Sequence, residues 1–144
     1  MEKSNIQNIL AELTNTNLVI LGLSVTIFTV IYSFLVNKKN ELNALNDKMR
    51  NNQSNPFDNQ QKHFALTYIK KFKAVNQKLL HLIAGSSFLF ITIFISNRFL
   101  LESLKDFQDA LMFAFFILTA IAILYFLYVL FDLIKKYKNE LLLN

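Results

Sequence analysis

The sequence has few of the residues on which most enzymes and loop-rich domains depend. Among its 144 residues there is no cysteine, and there are only two glycines and one proline. The absence of cysteine excludes disulfide bonds, thiolate metal sites and cysteine nucleophiles. Two isolated glycines, Gly22 and Gly85, cannot form a glycine-rich loop that binds phosphates. Because residues that break helices are so scarce, we expect an almost entirely α-helical chain.

Residues with catalytic chemistry are also few. The two histidines, His63 and His81, are not three or four positions apart, so they do not form a metal site on one helix face. Ser86 lacks the glycine-framed turn that exposes a hydrolase nucleophile. We therefore predict no catalytic, metal-binding or cofactor-binding residues, no cofactor, and a function other than catalysis.

Three long apolar stretches dominate the chain instead: Leu18–Val36, Leu79–Ser96 and Ala110–Phe131. Each has roughly the 20 residues with which an α-helix, rising about 1.5 Å per residue, crosses about 30 Å of hydrocarbon. The sequence therefore predicts an all-α polytopic membrane protein, with three transmembrane helices in a single membrane domain.

The positive charges indicate the orientation of these helices. Of the 15 lysines and arginines, nine lie between the first two stretches and three follow the third, whereas one precedes the first and two separate the second from the third. Alternate segments share a side of the membrane, and the side rich in lysine and arginine stays in the cytoplasm. We expect an integral protein of a bacterial inner membrane, encoded by a bacterium or a phage, with the N-terminus outside and the C-terminus in the cytoplasm.

The predicted division of the chain follows these stretches. The segments are, in order, an outer amphipathic segment 1–17, a first transmembrane helix 18–36, a cytoplasmic segment 37–78, a second transmembrane helix 79–101, an outer connection 102–109, a third transmembrane helix 110–134 and a cytoplasmic tail 135–144. The first stretch is long and is followed by basic residues, so we interpret it as a retained helix rather than a cleaved signal peptide.

The cytoplasmic segment has the pattern of two helices. Leu35, Leu42 and Met49 recur every seven residues, which predicts that the first transmembrane helix continues into the cytoplasm. The Asn-Pro-Phe-Asp sequence at 55–58 is a helix-start signal, so a second helix is expected to begin at Pro56 and to run into the second transmembrane helix. We predict an antiparallel helical hairpin, a coiled coil that projects into the cytoplasm. Its seam, or a groove for a partner, is formed by Leu42, Leu45, Met49, Phe64, Tyr68 and Phe72.

An alternative arrangement lays the second arm of this hairpin flat on the inner leaflet. The apolar side chains of residues 64–78 would then enter the lipid, and four lysines would contact anionic head groups. These are Lys70, Lys71, Lys73 and Lys78.

Lysines interleaved with aromatic residues also occur on nucleic-acid-binding surfaces. Cytoplasmic retention and attraction to lipid explain them more simply, so nucleic acid is not an expected partner.

Small and weakly polar residues form a stripe on each of the first two transmembrane helices. They are Gly22, Thr26, Thr29 and Ser33 on the first helix and Gly85, Thr92 and Ser96 on the second. In a bilayer, helices associate by close packing and interhelical hydrogen bonds, for which such residues are suited. We predict that the stripes mediate helix packing; the lining of a pore is the alternative.

Two ionisable residues, His81 and Asp132, lie about one turn inside the predicted cytoplasmic boundary. Ionisable groups within a membrane are candidates for proton relays, gates and pH sensors, so one hypothesis is a His81–Asp132 pair that gates a pathway or senses pH. The simpler interpretation is that Asp132 pairs with Lys135 or Lys136 on its own helix.

No motif indicates a specific activity, so function is inferred from the architecture. Three helices are too few to enclose an aqueous path, and the small-residue stripes favour assembly. We therefore expect a homo-oligomer that forms a pore or channel or otherwise perturbs the membrane. The alternative is a structural or regulatory anchor subunit that recruits a cytoplasmic protein partner through its hairpin. Membrane lipids are expected partners in either case.

Overall fold

The protein consists of three long α-helices. The computed structural model describes residues 3–51, 55–100 and 107–141. The helices are, in chain order, α1 (Lys3–Arg50), α2 (Pro56–Ile95), which continues into a π-helical turn (Ser96–Leu100), and α3 (Gln108–Leu141). The predicted all-α class is confirmed, and each helix is long and apolar enough to cross a membrane. Most of the predicted outer connection, and the last three residues of the predicted tail, lie outside the described residues.

Helix α1 is continuous for 48 residues, about 72 Å at 1.5 Å per residue. It continues beyond Val36, as the seven-residue spacing predicts. The N-terminal segment, predicted as the outer amphipathic segment 1–17, forms the first part of α1 from Lys3 onward. Its apolar residues Ile6 and Leu10 are buried against Ile93 of α2 and Phe115 of α3. The apolar face of this segment is therefore covered by the end of α2 and the beginning of α3.

Helix α2 begins where the sequence predicts, at Pro56, and the reason is a capping box. The Asp58 N–H donates to Asn55 Oδ1 at 3.0 Å, and the Asn55 N–H donates to Asp58 Oδ2 at 2.9 Å. These reciprocal bonds use backbone donors that have no partner inside the helix, and Pro56 at the first turn has no N–H to satisfy. The capping box therefore fixes Pro56 as the first residue of α2.

Buried residues recur at intervals of seven positions in all three helices, with one interruption in α1, where Lys38 is half-buried. They include Leu10, Asn17, Ser24, Ile31 and Leu45 in α1, Asp58, Ala65, Phe72, Leu79, Ser86 and Ile93 in α2, and Phe115, Ala122 and Val129 in α3. A seven-residue repeat is typical of helices that pack along a shared left-handed seam. One continuous interior therefore follows the length of the bundle, and it is already filled by side chains.

Three clusters of buried residues show the directions of the helices. The clusters combine, respectively, Leu10, Ile93 and Phe115; Ile20, Leu82 and Ala122; and Ile31, Leu79 and Val129. Residue numbers rise along α1 and α3 and fall along α2, so α2 is antiparallel to both of the other helices. Short connections between sequence neighbours are sufficient for this arrangement.

The bundle has three helices for most of its length and two at one end. The ring of Tyr137, near the end of α3, lies 5.2 Å from the ring of Phe72. Helix α3 ends about one turn past Tyr137, at Leu141. Helices α1 and α2 continue without it over most of residues 37–51 and 55–71, which we call the two-helix arm. Leu45 and Ala65 are buried in it. The predicted tail is thus largely helical, and it packs on the base of the arm.

Candidate functional site

A cluster of polar residues joins α2 to α3 at the end of the bundle nearest the arm. Lys78 Nζ donates a hydrogen bond to Asp132 Oδ2 at 2.7 Å, and Lys136 Nζ lies 3.3 Å from the same oxygen. Lys78 Nζ also lies 3.1 Å from the Tyr128 hydroxyl and 4.6 Å from the centre of the Tyr128 ring. We call these four residues the Lys78–Asp132 cluster.

This cluster is partly shielded from its surroundings. The side chains of Lys78, Asp132 and Lys136 retain 30%, 19% and 20% of their accessible surface. Partial shielding strengthens the attraction between opposite charges, but it also makes any unpaired charge costly. Because one carboxylate neutralises only one of its two ammonium partners, the cluster carries a net positive charge. Its geometry suits it to hold α3 against α2.

His81 lies outside this cluster, so the structure does not assemble the hypothesised His81–Asp132 pair. The His81 side chain is exposed and forms no hydrogen bond or ion pair within the described part of the chain. Positions three apart on a helix differ by about 60° in direction. Lys78 therefore points toward Asp132 on α3, while His81 lines a groove between α2 and α3. The simpler interpretation agrees with the contacts, since Asp132 does pair with Lys136 at i+4.

A second polar contact joins α1 to α3 within the apolar part of the bundle. Asn17 is fully buried, and its Nδ2 donates to Thr119 Oγ1 at 2.9 Å and to the Leu13 carbonyl at 2.9 Å. Asn17 Oδ1 has no hydrogen-bond partner among the described residues. Sequence reasoning did not select Asn17 or Thr119. The signal was available, because Asn17 lies seven residues after Leu10 and seven before Ser24.

Two buried serines follow the same repeat. Ser24 Oγ donates to the Ile20 carbonyl at 2.6 Å. Ser86 is 1% exposed, and its hydroxyl has no partner in the described ranges. Neither serine has a histidine or an acid as a partner in the described contacts, so neither has the arrangement of an activated nucleophile. Their small side chains instead let the helices approach closely.

The small-residue stripe of α1 points away from the other two helices. Gly22, Thr26, Thr29 and Ser33 are all exposed. A Cβ atom added to Gly22 would meet nothing within 4 Å. The Thr26 and Thr29 hydroxyls donate to the carbonyls of Gly22 and Val25, at 2.9 and 2.8 Å. The stripe is therefore a surface of small side chains whose two threonine hydroxyls are satisfied within the helix, and it is not used for packing inside one chain.

The second stripe does not form one surface. Gly85 is exposed and Thr92, which donates to the Phe88 carbonyl at 2.8 Å, is half-buried, whereas Ser96 is buried. Ser96 belongs to the buried series that includes Leu82, fourteen residues earlier, and it caps α2 with N–H bonds to the carbonyls of Ile93 and Thr92. Gly85 and Thr92 lie beside that series.

Only some of the six residues predicted for the hairpin seam are buried. Leu45 and Phe72 are buried, and Leu42, Met49 and Tyr68 are half-buried. Phe64 is 55% exposed, with Lys38 Nζ 5.5 Å from the centre of its ring. The neighbouring Ala65 is fully buried instead. A small residue at this position lets the two helices of the arm approach closely, which a phenylalanine would prevent.

The four lysines proposed for lipid contact lie in different environments. Lys70 and Lys73 are exposed and Lys71 is half-buried. Lys78 belongs to the Lys78–Asp132 cluster. At about 100° per residue, the four positions lie within an arc of about 160° on α2, with Lys73 at one edge and Lys71 and Lys78 at the other.

Comparison with known proteins gives no match. No protein-family model fits the chain, and no curated protein or solved structure is significantly similar to it. Among the described residues, no three histidine, aspartate or glutamate side chains are grouped in a way that could hold a metal ion. Polar contacts that join helices include those of the Lys78–Asp132 cluster and of Asn17 with Thr119.

Proposed function

We propose that this chain is an integral membrane protein with its N-terminus outside and its C-terminus in the cytoplasm, and with the two-helix arm projecting as a cytoplasmic hairpin. The support is the length and apolar character of the three helices, together with twelve of 15 basic residues on one predicted side. The Lys78–Asp132 cluster fits this orientation, since charged groups are tolerated where helices leave the hydrocarbon.

The protein assembles in the membrane as a homo-oligomer, and the assembly forms a pore or otherwise permeabilises the bilayer. The observation that carries this proposal is the exposed α1 stripe, where Gly22 has open space beside it. Narrow surfaces of this kind allow a second helix to approach closely. The interior of one protomer is filled by residues such as Ile31, Phe72 and Leu79, so an aqueous path would form between protomers rather than through one.

A second function is favoured by a different surface. Phe57 and Phe64 on the two-helix arm are 60% and 55% exposed. Exposed aromatic side chains on a polar segment are typical of protein-binding surfaces. In this alternative the chain is a membrane anchor or regulatory subunit, and its arm recruits a cytoplasmic protein.

Reconstitution of the purified protein into liposomes tests the two functions. A pore-forming homo-oligomer should release ions without added protein, and its native mass should correspond to several chains. Gly22→Leu should reduce both assembly and release about tenfold, because loss of close packing costs on the order of 1 kcal/mol. Ala114→Leu, which adds similar bulk at an exposed position of α3, is the matched control. A monomeric particle that releases no ions contradicts the pore and favours the anchor.

A further inference from the structure

A groove between α1 and α2 is not used by any of the contacts described above. It has a volume of about 650 Å³ and lies beside the base of the two-helix arm. Most of its lining is apolar or aromatic and includes Phe28, Tyr32, Val36 and Leu80. Tyr32 and Leu80 are 54% and 53% exposed, so this apolar surface is only partly covered by the protein itself.

The groove also has a positively charged part with no acid in its lining. Lys39 lies on the α1 wall and Lys73 on the α2 wall. Neither lysine forms an ion pair with any described residue, in contrast to Lys38, which pairs with Glu41 at 2.6 Å, and Lys78. Two ammonium groups on facing walls of one groove, without a carboxylate, favour an anion between them.

Asn76 provides independent evidence that the groove binds a ligand. It lies one turn from Lys73 on α2, it lines the groove, and it is 9% exposed. Its Oδ1 atom is buried and has no hydrogen-bond partner among the described residues. A buried polar atom without a partner is costly, so such an atom in a groove indicates a donor that the protein itself does not supply.

We propose that the groove binds one anionic phospholipid, with the phosphate between Lys39 and Lys73 and an acyl chain along Phe28, Val36 and Leu80. A hydroxyl or ammonium of the head group donates to Asn76 Oδ1 once the Asn76 side chain turns this buried atom into the groove. The inference rests on the proposed membrane orientation, in which Val36 and Leu80 lie at the cytoplasmic ends of their membrane segments. Lys39 is then about 4.5 Å further along the helix axis than Val36, at the level of the head groups. It does not depend on oligomerisation or on a pore.

From the two lysines toward the membrane, the order of groups along the groove matches the order of groups in a phospholipid. Phe28, Val36 and Leu80 lie at the depth of the acyl chains, and the two lysines with Asn76 lie at the depth of the phosphate. Beyond the lysines, toward the arm, the groove is lined by Leu42, Leu66 and Ile69. The cytoplasmic leaflet is also the one rich in anionic lipids. A peptide segment from a partner would need its own backbone donors and acceptors satisfied in the apolar part of the groove, which has few polar groups to offer.

Lipid titration followed by native mass spectrometry tests this site. The full-length protein, delipidated in detergent, is titrated with phosphatidylglycerol or with phosphatidylcholine of the same acyl chains. We expect one phosphatidylglycerol per chain to be retained at concentrations where phosphatidylcholine is lost. Lys39→Gln/Lys73→Gln should weaken phosphatidylglycerol binding roughly 30-fold, because a lysine near a charged lipid surface contributes about 1 kcal/mol. Asn76→Leu should also weaken it while leaving the net charge unchanged.

Lys70→Gln/Lys135→Gln is the matched control, since it removes the same charge from exposed positions that do not line the groove. Equal weakening by the control would overturn the proposal, because it would reflect net charge alone. Equal retention of the two lipids by the wild type would also overturn it, as would a copurified peptide that excludes phosphatidylglycerol from the groove. Helical circular dichroism identifies variants that fail to fold. Resistance of the wild type to alkaline extraction from vesicles tests the membrane orientation separately from the site.

Discussion

The three-helix part of the bundle and the two-helix arm differ in how completely they bury their apolar side chains. In the three-helix part, each cluster of buried residues combines side chains from all three helices, as Ile31, Leu79 and Val129 do. In the arm, burial depends on a single seam, and Phe57 and Phe64 remain mostly exposed. A third helix therefore makes the difference between a closed interior and an open surface.

Polar groups follow the same division. In the three-helix part, Asn17 is fully buried and reaches Thr119 across the interior. In the arm, the polar contacts of buried Asp58 and of Lys38 are with residues close in sequence, Asn55 and Glu41. A buried polar group costs least where it finds a hydrogen-bond partner, which Asn17 finds on another helix and Ser24 finds on its own. The junction between the two parts, at Phe72 and the Lys78–Asp132 cluster, should consequently be the most sensitive region.

The largest expected effect comes from Phe72→Ala. Phe72 is 1% exposed and its ring lies 4.5 Å from that of Tyr68 and 5.2 Å from that of Tyr137. Truncation leaves a cavity at the junction and should lower the free energy of unfolding by about 3 to 5 kcal/mol. Phe64→Ala removes the same atoms from an exposed position and should cost less than about 1 kcal/mol. Denaturant titration in detergent micelles measures both; equal losses would mean that the junction is not specially packed.

A smaller effect is expected in the Lys78–Asp132 cluster. A double-mutant cycle with Lys78→Met and Asp132→Asn should give a coupling energy of about 1 kcal/mol, the upper end for pairs that are only partly shielded. The same cycle with His81→Ala in place of Lys78→Met should give a coupling near zero. A coupling between His81 and Asp132 as large as that of Lys78 would restore the gating pair, and altered ion release by His81→Ala alone would support it further.

The smallest effect is expected for the contact between Asn17 and Thr119. Thr119→Val keeps the shape of the side chain, removes an interhelical hydrogen bond and should cost about 0.6 kcal/mol, the average for such bonds in membranes. Thr29→Val is the control, because the Thr29 hydroxyl bonds only to its own helix. Unfolding measurements that find the two variants equal would show that this contact does not hold α1 to α3.

Much of the helical architecture was predictable from local patterns. The capping box at Asn55 and Asp58 and the seven-residue spacing of Leu35, Leu42 and Met49 concern residues close in sequence, and the described helices follow both. The pairing of Asp132 with Lys136 is equally local. Such features depend on the geometry of one helix, which is the same wherever the helix packs.

Features that join distant segments were not predictable in the same way. The seam position that favoured Phe64 is taken by Ala65, because the distance between two helices decides which side chain fits. The partner of Asp132 across helices is Lys78 rather than His81, because the rotation of α2 about its axis decides which residue faces α3. A periodic pattern predicts only roughly which side of a helix is buried. It therefore does not distinguish residues on adjoining parts of the helix surface, such as Phe64 from Ala65 or His81 from Lys78.

By itself, the sequence determined three long apolar helices, the start of α2 and the uneven distribution of lysines, because these follow from composition and from contacts within a few residues. The tertiary structure alone decided that the N-terminal segment joins α1 and packs between α2 and α3, that the α1 stripe stays uncovered, and that Lys39 and Lys73 face one groove. These three features follow from the rotation of each helix about its axis and from the alignment of the helices along the bundle. Both are set by the packing surfaces of all three helices together, because the seven-residue repeats must meet.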